Sequence, residues 1–223
     1  MAGLLQKAGR FVGEFAARFR VTRETAPIDT VAEMRRFART RAAFVGQKKL
    51  YEYLKTRIGT RYPTAFENEA FVASINIAKL HVCAGCLSDL TVHVVAKATA
   101  GSGLPHEIRA AEALSCFTEG VSEMAASGAD AGMIEAWREA FGKRLGDLHW
   151  ENAAIGHDAF SVSPKALVRW APIADELKRQ DAEIVRNSVR FAWNEVIRDF
   201  RERGDLARLA AAIAAENEAL SKQ

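Results

Sequence analysis

Residues 65–98 form a long segment that is nearly free of charge. Between Ala70 and Ala96 only Lys79 and Asp89 are charged. A helix that is apolar nearly all the way round has no face that suits water, so it must be buried on every side. The segment therefore predicts the central helix of a bundle. Because polar residues interrupt the run, a membrane span of about 20 continuous apolar residues is not expected.

The segments on either side also repeat apolar residues every three or four positions, whereas strand-like alternation is absent. This periodicity predicts helices over about 3–20, 30–58, 65–98, 105–126 and 130–148, one after Pro164, one through 185–200 and an Ala-rich last one. The predicted fold class is all-α: a multi-helix bundle of about seven or eight helices with a basic amphipathic N-terminal arm.

Three positions carry sequence signals of a helix start. Thr30 with Glu33 and Thr64 with Glu67 have the spacing of a capping box, in which side chain and backbone bond reciprocally. Ser163 comes directly before a proline, which suits a cap followed by a first helical turn. We expect helices to begin at these three places.

Charge is distributed unevenly along the chain. Residues 1–62 hold 14 Lys and Arg against 5 Asp and Glu, or +9, whereas residues 63–223 hold 17 against 23, or −6. This contrast predicts a basic N-terminal helical arm over 1–62 and a helical body over 63–223, or one domain whose halves attract each other. Attraction across a dimer would also explain it.

The arm contains the candidate interaction surface. Its first helix pairs apolar and basic side chains in the manner of helices that lie on anionic membranes, and its second helix adds further cations. The members are Lys7, Arg10, Phe11, Phe15, Arg18, Arg35, Arg36, Arg39, Lys48, Lys49, Lys55 and Arg57. Packing on the acidic body, a homo-oligomer, an acidic protein partner or an anionic membrane surface would each use these residues. Nucleic acid is not expected, because the aromatics of the second helix share one apolar face instead of standing free for base stacking.

Lys79, Cys86, Asp89 and His93 fall in one sector of the central helix. One interpretation is that they form the helix's water-facing edge. The other is a candidate polar site, in which Asp89 and His93 bond four residues apart beside the Cys86 thiol. Because the sequence offers no third catalytic group and no oxyanion donor, no catalytic residue is assigned.

No metal or cofactor is predicted. Cys83 and Cys86 could share a face, but His81 and His93 of the same helix cannot converge on them, and no second ligand pair is present elsewhere. The adjacent His157 and Asp158 are too short a motif to define a metal site. Phosphate-loop, dinucleotide and nucleophile-elbow motifs are absent from the sequence.

The C-terminal half is rich in aromatic residues, which at helical spacing belong to a core. They are Phe117, Trp137, Phe141, Trp150, Phe160, Trp170, Phe191 and Trp193. Helices packed through such residues can also enclose a hydrophobic pocket for a lipid-like molecule.

Two features bear on localisation. Three cysteines are an odd number, which favours free thiols in a reducing compartment, and the first residues lack the charge order of a secretory signal. We expect a cytoplasmic protein, membrane-peripheral if the first helix binds lipid.

The predicted function is that of a non-catalytic helical interaction protein. The alternatives are a bundle that binds a lipid-like small molecule and an enzyme that uses Cys86, Asp89 and His93.

Overall fold

The structure is a computed structural model, and it describes residues 25–156 and 159–220. Its α-helices are α1 (Val31–Ile58), α2 (Tyr62–Ala65), α3 (Glu69–Ala98), α4 (His106–Glu123), α5 (Ala131–Gly146), α6 (Trp150–Ala154), α7 (Val162–Trp170), α8 (Asp175–Arg203) and α9 (Leu206–Leu220). Within these ranges no strand forms, and a single parallel bridge joins Ile28 to Gly204. The predicted all-α bundle is confirmed. The predicted helix over 3–20 lies outside the described residues.

Helix α3 is the centre of the bundle, as its lack of charge predicts. Every residue from Val82 to Ala96 is buried, and the neighbouring helices α1, α4, α6 and α7 all contact it. Among the described helices, α3 is also the one long and apolar enough to cross a membrane, a criterion that the buried core helix of a bundle meets as well.

Of the predicted capping boxes, the one at Thr30 is confirmed and the one at Thr64 is not. Thr30 caps α1, because its Oγ1 accepts from the Glu33 backbone N–H at 3.2 Å and its hydroxyl donates to the Glu33 carboxylate at 3.0 Å. The predicted capping box at Thr64 is wrong. The Thr64 hydroxyl bonds to the Arg61 carbonyl instead, and Asn68 caps α3 by accepting from the Phe71 N–H.

Small residues let two helices approach α3 closely. A Cβ placed on Gly85 would lie 2.9 Å from the Ala166 Cβ of α7, a distance that side chains do not tolerate. A Cβ on Gly46 of α1 would lie 3.3 Å from the sulfurs of both Cys83 and Cys86. Because interiors are close-packed, these glycines set how near α7 and α1 stand to the central helix.

Candidate functional site

Asp89, in the second half of α3, has a fully buried carboxyl group. Burial raises its pKa, while the Arg144 charge and the hydrogen bonds from Ser163 and Val162 favour the carboxylate and oppose that rise. Asp89 Oδ1 accepts a 2.9 Å hydrogen bond from Nη1 of Arg144 on α5. The same Nη1 donates to Ser88 Oγ at 2.7 Å, and Nη2 donates to the Ala159 carbonyl at 2.8 Å. A buried ion pair is costly unless further hydrogen bonds satisfy both partners. Ser88 and Ala159 supply those bonds for the guanidinium.

The Asp89 carboxylate also caps α7. The backbone N–H of Val162 donates to Oδ1 at 3.1 Å, and the N–H of Ser163 donates to Oδ2 at 2.7 Å. The first amides of a helix have no acceptor within the helix and favour an anion. Ser161 holds the N-cap position but makes no side-chain cap bond, so the cap comes from α3. The predicted local cap at Ser163 is therefore wrong.

Ser163 extends this network to α8. Its hydroxyl donates to Asp89 Oδ2 at 2.6 Å and accepts from the Trp193 indole N–H at 3.1 Å. Both Ser163 and Trp193 are buried. One carboxylate on the central helix thus links α5, α7 and α8, and we call Asp89, Arg144, Ser163 and Trp193 the Asp89 network.

The predicted water-facing edge of the central helix is wrong. Cys86, Asp89 and His93 are each at most 2 % exposed, and Lys79 is half-buried. These three side chains face neighbouring helices and not solvent: Cys86 lies against α1, Asp89 against α7 and His93 against α6.

The second interpretation, a bonded Asp89–His93 pair beside a thiol, is not formed among the described residues either. His93 Nδ1 lies 3.4 Å from the Ala153 carbonyl oxygen of α6. Burial lowers the pKa of His93 to about 4. Burial also raises the pKa of the Cys86 thiol well above its usual range, so this sulfur is a poor nucleophile. The geometry suits a structural role for the three side chains.

A cleft of about 510 Å³ opens beside the Asp89 network, between α3, α5 and α7. We call it the α3–α5–α7 cleft. Small residues of α3 form its floor, aromatic residues of α5 and α7, with Phe117 of α4, form its walls, and three cations of α5 and α7 line it. Its lining residues are His81, Ala84, Gly85, Ser88, Phe117, Ala136, Trp137, Ala140, Phe141, Arg144, Ser161, Val162, Lys165, Ala166, Arg169 and Trp170.

His81 is fixed in the wall of this cleft by two tryptophans. The Trp137 indole N–H donates to His81 Nδ1 at 3.1 Å, and the Trp170 ring stacks on the imidazole with centroids 3.4 Å apart. Burial, with a contribution from the nearby Arg169 charge, lowers the pKa of His81. Because Nδ1 accepts a hydrogen bond, the neutral ring carries its proton on Nε2.

The basic second helix of the predicted arm is packed into the bundle. Its residues Met34, Phe37 and Leu50 belong to the same hydrophobic core as α3. Its cations face acidic side chains of the body: Arg35 pairs with Glu112 and Glu216, Arg39 with Glu119 and Glu123, and Arg57 with Asp181.

The remaining predicted cations of α1 are more exposed or locally engaged. Lys48 stands over the Phe44 ring at 5.7 Å, and Lys49 donates to Glu52 and to Ser188 Oγ. Lys55 and Arg36 are exposed. Lys7, Arg10, Phe11, Phe15 and Arg18, together with the His157–Asp158 motif, lie outside the described residues.

The aromatic residues of the second half divide between core and cleft. Seven of the eight behave as predicted, as buried or half-buried packing residues, and Trp137 and Trp170 among them form the cleft wall. Phe191 does not, because it stands 73 % exposed on α8.

In residues 25–156 and 159–220 no group of three or more His, Cys, Asp or Glu side chains is placed to hold a metal ion.

Arg144, Lys165, Arg169 and His81 are site residues that the sequence does not predict. The signal that was available is the run of small residues on one side of α3, from Ala84 to Ser88, since small residues in a core helix show that another element approaches closely. Which element approaches, and which cations it brings, depends on long-range packing.

Comparisons with protein-family models, with curated proteins and with solved structures found no match for this chain.

Replacing Asp89 with Ala is expected to lower the free energy of unfolding by about 3–5 kcal/mol, because the change leaves the half-buried Arg144 without its counter-ion and α7 without its cap. Urea unfolding followed by circular dichroism measures the loss. Asp147→Ala, at an exposed carboxylate of the same residue type, should change stability by no more than about 0.5 kcal/mol. Equal small effects of the two changes would contradict the role assigned to Asp89.

His93 predicts how stability depends on pH. Its pKa in the folded chain, about 4, lies below the ordinary value of 6.5, so the unfolded chain binds the proton first as pH falls. Stability is therefore lost between pH 6.5 and pH 4. From pH 7 to pH 5 the natural chain should lose about 2 kcal/mol more than His93→Gln does. The exposed His149→Gln variant serves as the control and should retain the full loss; an unchanged slope in His93→Gln would contradict the assignment.

Proposed function

We propose that this protein is a non-catalytic helical binding protein that holds a small molecule with an apolar body in the α3–α5–α7 cleft. The observation that carries the proposal is the cleft itself. Its volume of about 510 Å³ falls in the range of small-molecule sites, and its walls combine aromatic rings with a few polar groups. Trp137, Phe141 and Trp170 offer the apolar contacts.

The supports of the cleft favour a pre-formed site. Asp89 bonds to Arg144 of α5 and to the first turn of α7, so both walls are held by hydrogen bonds to one buried side chain of the central helix. Gly85 brings α7 close on the same side. When the walls of a cavity are already fixed, ligand binding orders fewer side chains, and less of the binding free energy is lost to that ordering.

The alternative functions have less support among the described residues. An enzyme that uses Cys86, Asp89 and His93 would need an accessible thiol, and this one is buried with a raised pKa. Binding of a homo-oligomer partner, an acidic protein or an anionic membrane through the N-terminal arm stays a prediction, and the pairs that Arg35, Arg39 and Arg57 make with the body favour a structural use of α1.

A neutral fluorescent probe tests the proposal. N-phenyl-1-naphthylamine brightens in apolar surroundings, and it should bind the full-length chain saturably, with one site per chain. Ala140→Phe places a ring in the cleft from an exposed position of α5, and it should weaken the probe's binding about tenfold or more, or roughly 1.4 kcal/mol.

The matched control is Ala211→Phe, the same change at an exposed position in the middle of α9. It should leave the titration unchanged, and urea unfolding should show that both variants remain folded. Absence of saturable binding, or an Ala140→Phe variant that binds as the natural chain does, would sink the proposal.

A further inference from the structure

Two cations stand one helical turn apart on α7 and both border the α3–α5–α7 cleft. Lys165 and Arg169 are exposed and lie four residues apart, so their side chains project from the same face of the helix. Among the described residues neither side chain forms an ion pair with a carboxylate. Their charge is therefore available to whatever occupies the cleft.

The third cation of the cleft is already compensated. Arg144 is held by Asp89, Ser88 and the Ala159 carbonyl, so its charge is balanced inside the protein. No Asp or Glu side chain belongs to the described lining of the cleft. Among the described lining residues, the two cations without a carboxylate ion pair, Lys165 and Arg169, therefore both lie on α7.

Arg169 is also positioned against the aromatic wall. Its guanidinium carbon lies 5.3 Å from the centroid of the Trp170 ring, within the range of a cation–π contact. Trp170 is in turn stacked on His81, whose Nδ1 is occupied by the Trp137 indole. This chain of contacts places a cation at the border between the apolar cleft and water.

We propose that the ligand of the cleft is an amphipathic organic anion, whose single acidic group is bound by Lys165 and Arg169 and whose apolar body packs on Trp137 and Phe141. The proposal rests on the proposed function of the cleft and adds the ligand's charge to it. A cation pair beside an apolar pocket complements such a molecule, because the acidic group stays at the water-exposed edge while the apolar part leaves water.

Two probes that share one apolar body separate charge recognition from apolar binding. The anion 1-anilinonaphthalene-8-sulfonate has the ring system of N-phenyl-1-naphthylamine plus a sulfonate. The sulfonate probe should bind the natural chain at least tenfold more tightly than the neutral probe, and the difference should shrink as salt is raised, because exposed charges are screened. Equal affinities would overturn the inference, yet saturable binding of the neutral probe would leave the proposed function intact.

Substitutions test whether Lys165 and Arg169 cause the preference for the sulfonate probe. The double variant Lys165→Gln with Arg169→Gln should bind both probes with the affinity that the natural chain has for the neutral one. Arg186→Gln with Arg190→Gln is the matched control, since it removes two exposed cations four residues apart on α8. A control that loses the sulfonate preference to the same extent, or an α7 variant that weakens both probes equally, would overturn the inference.

Competition distinguishes a free anion from a membrane lipid. Dodecanoate, below the concentration at which it forms micelles, should displace the sulfonate probe at least tenfold better than dodecanol does. Displacement by phosphatidylglycerol vesicles but not by dodecanoate would overturn the assignment, because it would place the binding of anions at a membrane surface instead of in the cleft.

Discussion

The bundle depends on how one buried charge is satisfied. Asp89 has no contact with solvent, and an isolated carboxylate in such a place would cost several kcal/mol. The chain meets this cost with a guanidinium from α5 and with the two free amides and a hydroxyl at the start of α7. Because these donors come from separate helices, satisfying Asp89 also determines where α5 and α7 stand against the central helix. The walls of the α3–α5–α7 cleft are those two helices, so the charge in the core and the shape of the cleft have a common origin.

A second set of charges joins α1 to the body. The basic surplus of residues 1–62 and the acidic surplus of residues 63–223 meet at Arg35, Arg39 and Arg57, each of which faces a carboxylate of the body. Lys165 and Arg169 differ from these three residues, because they border an apolar cleft and no described carboxylate forms an ion pair with them. The cations of α1 therefore stabilise the fold, whereas those of α7 are the ones to which we assign ligand binding.

Much of the fold follows from the sequence by local rules. The helical period and the segment from Ala70 to Ala96, with only two charged residues, predict a bundle with a buried central helix, and the Thr30–Glu33 pair predicts the start of α1. Local rules fail where the partner is distant in sequence. A helical wheel gives the direction of Asp89 but not what lies in that direction, so the prediction of a water-facing edge is wrong. Ser163 looks like a local cap by the same logic, although its helix is capped from a residue 74 positions earlier.

The position of the cleft could not be predicted from the sequence for a related reason. Trp137 and Trp170 are visible as aromatic residues in the sequence, and a pocket between helices is a fair expectation. The position of that pocket depends on Gly85 letting α7 approach and on Arg144 reaching Asp89, and both are facts of tertiary packing. The cations that give the cleft its charge, Lys165 and Arg169, come from α7, a helix that the sequence predicts without showing what it packs against.

Amide hydrogen exchange at the start of α7 tests the central claim most directly. First-turn amides of a helix have no acceptor within the helix and exchange quickly when water is their only partner. The backbone amide of Glu107, at the start of α4, is a reference for fast exchange, since that helix has no side-chain cap. If Asp89 caps α7, the amides of Val162 and Ser163 should exchange as slowly as Leu167 in the same helix. Exchange of Val162 and Ser163 at the rate of Glu107 would contradict the account.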